Sequence, residues 1–154
     1  MSATTITPET HRRLAVDLFN QTWTLMEKPD RTPADTDAMI HGAHASCYHW
    51  SQVGNATNLS IGEWQISRVY AVLQRPEPAL YHARRCLAIS EHDNLPPFNL
   101  GYAHEALARA YSLTFDPATK RHLDLAHEHA QLVTDLDDQK VLLADLQTIP
   151  LKPR

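Results

Sequence analysis

Glycine is scarce in this chain, at four residues in 154, and long alternating runs of β-branched residues are missing. Both absences argue against a sheet-built fold. Cysteine occurs twice, as Cys47 and Cys86, and neither belongs to a CxxC pair. That excludes a disulfide framework and fits a reducing, cytoplasmic setting. Fourteen basic and 18 acidic residues are interspersed for a net charge of −4, with no basic stripe to neutralise a phosphate backbone. Nucleic acid is therefore not an expected partner. No apolar run approaches the length of a bilayer span, and the opening MSATTITPETHRRLAVDLF lacks the apolar core of a secretory signal. Neither a membrane nor an export route is expected. Catalytic signatures are missing too: no GxSxG, Walker loop, GxGxxG or HExxH occurs, and His104-Glu105 has no second histidine at the required distance. No cofactor is expected, and the sequence leans away from enzymatic activity without closing the question.

Proline, by contrast, is plentiful at ten residues, and it falls between or at the ends of periodic apolar segments. Proline breaks a helix interior but suits its first turn, so this distribution punctuates helices. The intervening segments are rich in Ala, Leu, Arg, Glu and Gln, which favour helix. Six main helices are expected at about 8–27, 34–52, 59–73, 77–91, 98–113 and 118–136, with a short one at 139–146. Thr7 is the expected N-cap of the first, and residues 53–58 form an expected loop. Leu14, Leu18, Phe19, Trp23 and Met26 are expected to face inward from the first helix; Ile40, Ala43, Cys47 and Trp50 do so from the second. Connections this short force neighbours antiparallel, giving a single all-α domain over residues 1–154.

A repeat runs through these helices. Ile66-Ser67 and Tyr70, followed by Ala79, Ala83 and Cys86-Leu87, combine a large apolar residue, small residues and a tyrosine at helical spacing. Small residues let two backbones approach, and the tyrosine fills the groove beside them. Leu107-Ala108 with Tyr111 repeats the first half of the pattern, and Ala43, Cys47 and Trp50 repeat the second. The pattern resembles the tetratricopeptide repeat, best over residues 59–91. The resemblance implies three antiparallel hairpins stacked as a short right-handed solenoid, with Val141–Leu146 capping its open end. The flanking hairpins depart from the motif: the turn at Phe115 lacks the usual glycine and the closing proline is displaced.

In such stacks the first helix of each pair lines a concave face that receives peptides. Mapped through Tyr70 and Ala79, the resemblance puts Trp64 and Arg68 on that face, with Glu105 and Arg109 at the equivalent places of the next pair. A Trp and an Arg one turn apart can hold a carboxylate or an extended chain; alternatively Trp64 fills a seam and Arg68 pairs with Glu63 or Glu105. Histidine is abundant at ten residues, and His41, His44 and Tyr48 share a narrow strip of the second helix. His41 and His44 are too few to hold a metal without a third ligand such as His82, His104 or Glu63. His122 and His129 fall inside the apolar arc of the sixth helix, which suits a dimer seam, a pH-sensitive contact or partial exposure.

These features order the functional expectations. First stands a non-catalytic module that binds a protein or peptide partner through Trp64, Arg68, Glu105 and Arg109, with His44 and Tyr48 as further contacts. The alternative is a small-molecule or metal-binding protein, possibly an enzyme, with a pocket lined by His41, His44, Tyr48, Trp64 and Arg68 between the second, third and fifth helices. A homodimer sealed by His122, His129 and the terminal leucines is the third.

Overall fold

The computed structural model describes residues 5–152, and every regular element among them is helical. The elements are α1 (Pro8–Glu27), α2 (Pro33–Val53), α3 (Ala56–Val72), α4 (Pro76–His92), α5 (Pro97–Ser112), α6 (Ala118–Gln131) and α7 (Leu136–Gln147). Proline opens α1, α2, α4 and α5, where its missing N–H costs nothing. Side chains also cap the first turns of α1 and α2, while α4 and α5 have no side-chain cap. Thr7 accepts from the Thr10 amide, and Thr32 with Asp35 forms a reciprocal capping box.

Two boundaries differ from the expected ones. Residues 53–58 are not a loop: Asn55 and Asn58 cap one another's backbone amides, so α3 starts at Ala56 and only Gly54-Asn55 separates it from α2. The sixth helix stops at Gln131 rather than near 136. The Leu132 and Val133 amides close onto the His129 and Ala130 carbonyls, and Asp135 accepts from the Asp137 and Asp138 amides to begin α7. The apolar spacing continues through Val133 and Leu136, but the cap at Asp135 ends one helix and begins the next. In α1 the most buried line is Ala15, Thr22 and Met26, with Leu14, Leu18, Phe19 and Trp23 half-buried beside it.

The helices pack as three antiparallel hairpins, α1 with α2, α3 with α4 and α5 with α6. Small residues set how closely each pair approaches. In the middle hairpin Ala79 and Ala83 are fully buried, and Ser67 Oγ donates 2.8 Å to the Ala79 carbonyl. At its other end the Ser60 and Ser90 hydroxyls bond at 2.8 Å. In the first hairpin Ser46 Oγ donates to the Ala15 carbonyl at 2.7 Å. Between hairpins, α3 meets α2 nearly backbone to backbone: a Cβ at Gly62 would stand 2.9 Å from Cys47 Sγ.

Each hairpin rests on the next by a repeated rule. α3 touches α1 and α2, α5 touches α3 and α4, and α7 touches α5 and α6. So α7 occupies the place a fourth first-helix would take, and it covers the end of the stack with buried Leu142 and Leu146 against Ala108, Leu123, Ala126 and Ala130. The result is a layer of α1, α3, α5 and α7 beside a layer of α2, α4 and α6.

The turns after α3, α4 and α5 share one geometry. Gln74, Asn94 and Phe115 have φ of 58°, 49° and 51°, and the next amide reaches back to the Tyr70, Ser90 and Tyr111 carbonyls. This is a Schellman closure without the glycine that normally fills it. A side chain in that conformation costs roughly 1–2 kcal/mol. Replacing the exposed Gln74 by glycine (Q74G) is expected to stabilise the protein by about 1 kcal/mol in urea unfolding.

Candidate functional site

The inner layer of helices carries the densest polar cluster. Trp64 and Arg68 project from α3 and Glu105 and Arg109 from α5, one turn apart on each helix, so the four meet in one place. Glu105 is fully buried. Its Oε2 accepts from Trp64 Nε1 at 2.9 Å, and its Oε1 accepts from Arg68 Nη1 at 2.9 Å and Arg109 Nε at 2.6 Å. The network continues into α7. Arg109 Nη2 donates to the Asp145 carbonyl at 3.0 Å and to Thr148 Oγ1 at 2.9 Å, and Arg68 Nη2 lies 3.7 Å from Asp145 Oδ1. Two carboxylates thus balance two guanidinium groups. The four residues that the repeat made equivalent do meet, and the carboxylate that Trp64 and Arg68 hold belongs to the chain itself.

Beside this network lies a cavity of about 390 Å³ that all four inner helices border. Trp23 comes from α1, Ile61 and Trp64 from α3, Phe98 and Tyr102 from α5, and Val141 and Asp145 from α7. The rings contact in series. Trp23 and Trp64 are 5.6 Å apart, Trp64 and Tyr102 meet edge to face at 5.3 Å, and Phe98 and Tyr102 do so at 5.0 Å. Tyr102 Oη donates to Asp145 Oδ2 at 2.8 Å. Burial, and then this bond to a carboxylate, pushes the phenol well above its ordinary range, so it stays a donor. Sequence reasoning named only Trp64 in this wall. The signal for Trp23 was present, since the interval from Trp23 to Trp64 equals that from Trp64 to Glu105. Phe98 and Tyr102 stand one turn apart on α5, a spacing that by itself does not separate a cavity wall from core; Asp145 carried no signal, because only the placement of α7 brings it to them.

His44 and Tyr48 belong to a different recess, of about 280 Å³, bordered by α2, α3 and α4. His44 Nε2 bonds Tyr70 Oη at 3.0 Å, while Glu63 bridges His82 Nδ1 at 2.6 Å and Arg85 Nε at 3.0 Å. Burial, then the neighbouring His82, lowers the His44 pKa. Burial opposes ionisation of Glu63, but hydrogen bonds from His82 and Arg85 prevail and hold its pKa below the usual value. Burial pushes the Cys47 thiol up to about 12, so it is no thiolate at neutral pH. The set His44, Tyr48, Trp64 and Arg68 therefore does not share one pocket: His44 and Tyr48 line this recess, Trp64 lines the aromatic cavity, and Arg68 lines neither. His41 is exposed, and among the described residues no three His, Cys, Asp or Glu side chains are grouped to hold a metal ion.

Two of the three histidines of α6, His122 and His129, turn inward, while His127 is exposed. His122 and His129 both stack on buried His104 of α5, with ring centroids at 5.3 and 5.5 Å, and Tyr111 stacks on the far face of His122. The Nδ1 atoms of His104 and His122 are 3.0 Å apart and share one proton, and Arg84 Nη2 donates to Tyr111 Oη. His129 Nδ1 is buried without a hydrogen-bond partner among the described residues. Burial, then repulsion from His122, His129 and Arg121, depresses the His104 pKa to about 4.

No protein-family model, no curated protein and no solved structure matches the chain.

Two outcomes test this geometry. Glu105→Ala leaves two guanidinium groups facing each other without their shared carboxylate, and the expected loss is about 3–5 kcal/mol in chemical unfolding. For His104, folded and unfolded chains are both neutral above pH 6.5. Between there and about 4 only the unfolded chain takes up the proton, so stability falls on acidification, by about 2 kcal/mol at pH 5 from this residue. Urea midpoints from pH 7.5 to 4.5 should show that slope, and His104→Gln should flatten it.

Proposed function

We propose that the chain is a non-catalytic binding module of tetratricopeptide-like build, which holds a segment of a partner protein along the face made by α1, α3, α5 and α7. The observation that carries this reading is the aromatic cavity bordered by all four of those helices. A cavity of this size and lining can bury one anchoring group of a ligand, while Ile61 and Val141 of its lining, and Val16, which shares a neighbouring recess with Ile61, leave exposed apolar surface for the rest. The hairpin order and small-residue seams support the tetratricopeptide-like reading, since they give each inner helix the same neighbours.

The buried polar network supports a binding role by a second route. Trp64, Arg68 and Arg109 are fixed by Glu105, so the cavity wall is rigid before any ligand arrives and little side-chain entropy is lost on binding.

Peptides selected from a random display library on the purified protein give the test. Val141 is half-exposed at the cavity mouth and makes no polar contact, so Val141→Arg is expected to weaken the selected peptides at least about tenfold with an unchanged helical circular dichroism spectrum. Peptides that bind the variant as well as the parent would place recognition elsewhere and end this reading.

A further inference from the structure

Five side chains decide what chemistry the cavity prefers. Trp23, Trp64, Phe98 and Tyr102 border it with aromatic rings, and Asp145 is the one charged side chain in its lining. Tyr102 is turned 75° from both Trp64 and Phe98, and Trp23 is tilted 43° from Trp64, so the rings form separate walls instead of one flat stack. Ring faces carry partial negative charge. Asp145 is about a quarter exposed; its Oδ2 accepts from Tyr102, and its Oδ1 has Arg68 only at 3.7 Å, beyond a good hydrogen bond. An oxygen lone pair therefore remains for a ligand. The nearest guanidinium groups are both bonded to Glu105 Oε1, and no lysine, arginine or histidine lines the cavity.

We propose that the cavity is a site for an organic cation, a methylated or quaternary ammonium joined to an apolar body. The inference rests on the binding-module reading and names the anchor that the module takes. A methylated ammonium suits this place better than a bare one. It spreads its charge over methyl groups, sheds water at little cost and packs against ring faces, whereas a primary ammonium would leave N–H donors unpaired among aromatic carbons. An anion would meet Asp145, and a neutral group would forgo it. The space of about 390 Å³ takes such a head group with an apolar body attached. The same head can arrive on a free small molecule or on a methylated lysine of a partner chain.

Isothermal titration of the full chain with (3-hydroxyphenyl)trimethylammonium and its uncharged isostere 3-tert-butylphenol separates charge from shape. The cation is expected to bind roughly tenfold more tightly. Asp145→Asn, which keeps an acceptor for Tyr102, and Phe98→Leu, which removes a ring that makes no hydrogen bond, should each weaken the cation about fivefold and leave the phenol nearly unchanged. Phe98→Leu keeps the test valid if the aspartate variant loses its fold. Acetyl-trimethyllysine amide assigns the source: tighter binding than the free ammonium points to a modified partner chain, weaker binding to a small molecule, and both support a cation site. A phenol that binds as well as the cation overturns the inference and leaves the groove as an apolar one. Failure of both probes, while selected peptides still depend on Val141, overturns it as well. Peptides indifferent to Val141→Arg would remove the groove itself.

Discussion

A carboxylate cut off from water has to be neutralised where it stands, and Glu105 is such a group. An indole and two guanidinium groups are aimed at it from within the same layer. Those donors come from α3 and α5, and one of them reaches on to the backbone of α7. Three inner helices are thereby held at a spacing that apolar contact alone would leave loose. Apolar packing tolerates small slips, whereas hydrogen bonds of 2.6–2.9 Å do not. The register of the inner layer, and with it the shape of the neighbouring cavity, follows from where this one charge sits.

The outer layer is built on the opposite principle. Alanine, serine and glycine dominate the seams between paired helices, and the few polar groups there bond to backbone carbonyls or to each other. Such seams bring helices close without specifying much beyond distance. Two seams are exceptions: Glu63 of α3 bridges His82 and Arg85 of α4, and the histidine stack between α5 and α6 makes its seam answer to pH. One face of the stack is thus fixed by charge, and one seam is conditional on it.

Most of the helix pattern was legible in the sequence because its determinants are local. Pro8 after Thr7 and Pro33 after Thr32 mark their helix starts without any knowledge of the fold. Asn55 reads as a loop residue and Asp135 as part of the sixth helix, and only their caps reveal that a new helix begins just after each. The meeting of Trp64, Arg68, Glu105 and Arg109 was readable from the repeat, since equivalent positions on neighbouring inner helices must face each other. Arg68 pairing with Glu63 or Glu105 was one of the two readings there; the repeat could not choose between it and a ligand, because Glu105 and a ligand carboxylate present the same acceptor to Arg68. The grouping of His44 and Tyr48 with Trp64 failed for want of a sense of sides. Glu63 and Trp64 are adjacent in α3 yet line different recesses, one bonded to α4 and the other to α5, and that division shows only when those helices are in place.

α7 is at once a lining of the cavity and the end of the stack. It is tied down by Arg109, by Tyr102 and by two buried leucines. An occupant of the cavity touches this helix, so its departure and the fraying of the C-terminal segment draw on the same contacts. Residence time would then be governed by how often α7 lifts rather than by the strength of any one ring contact, and amide exchange along α7 would slow in proportion to occupancy.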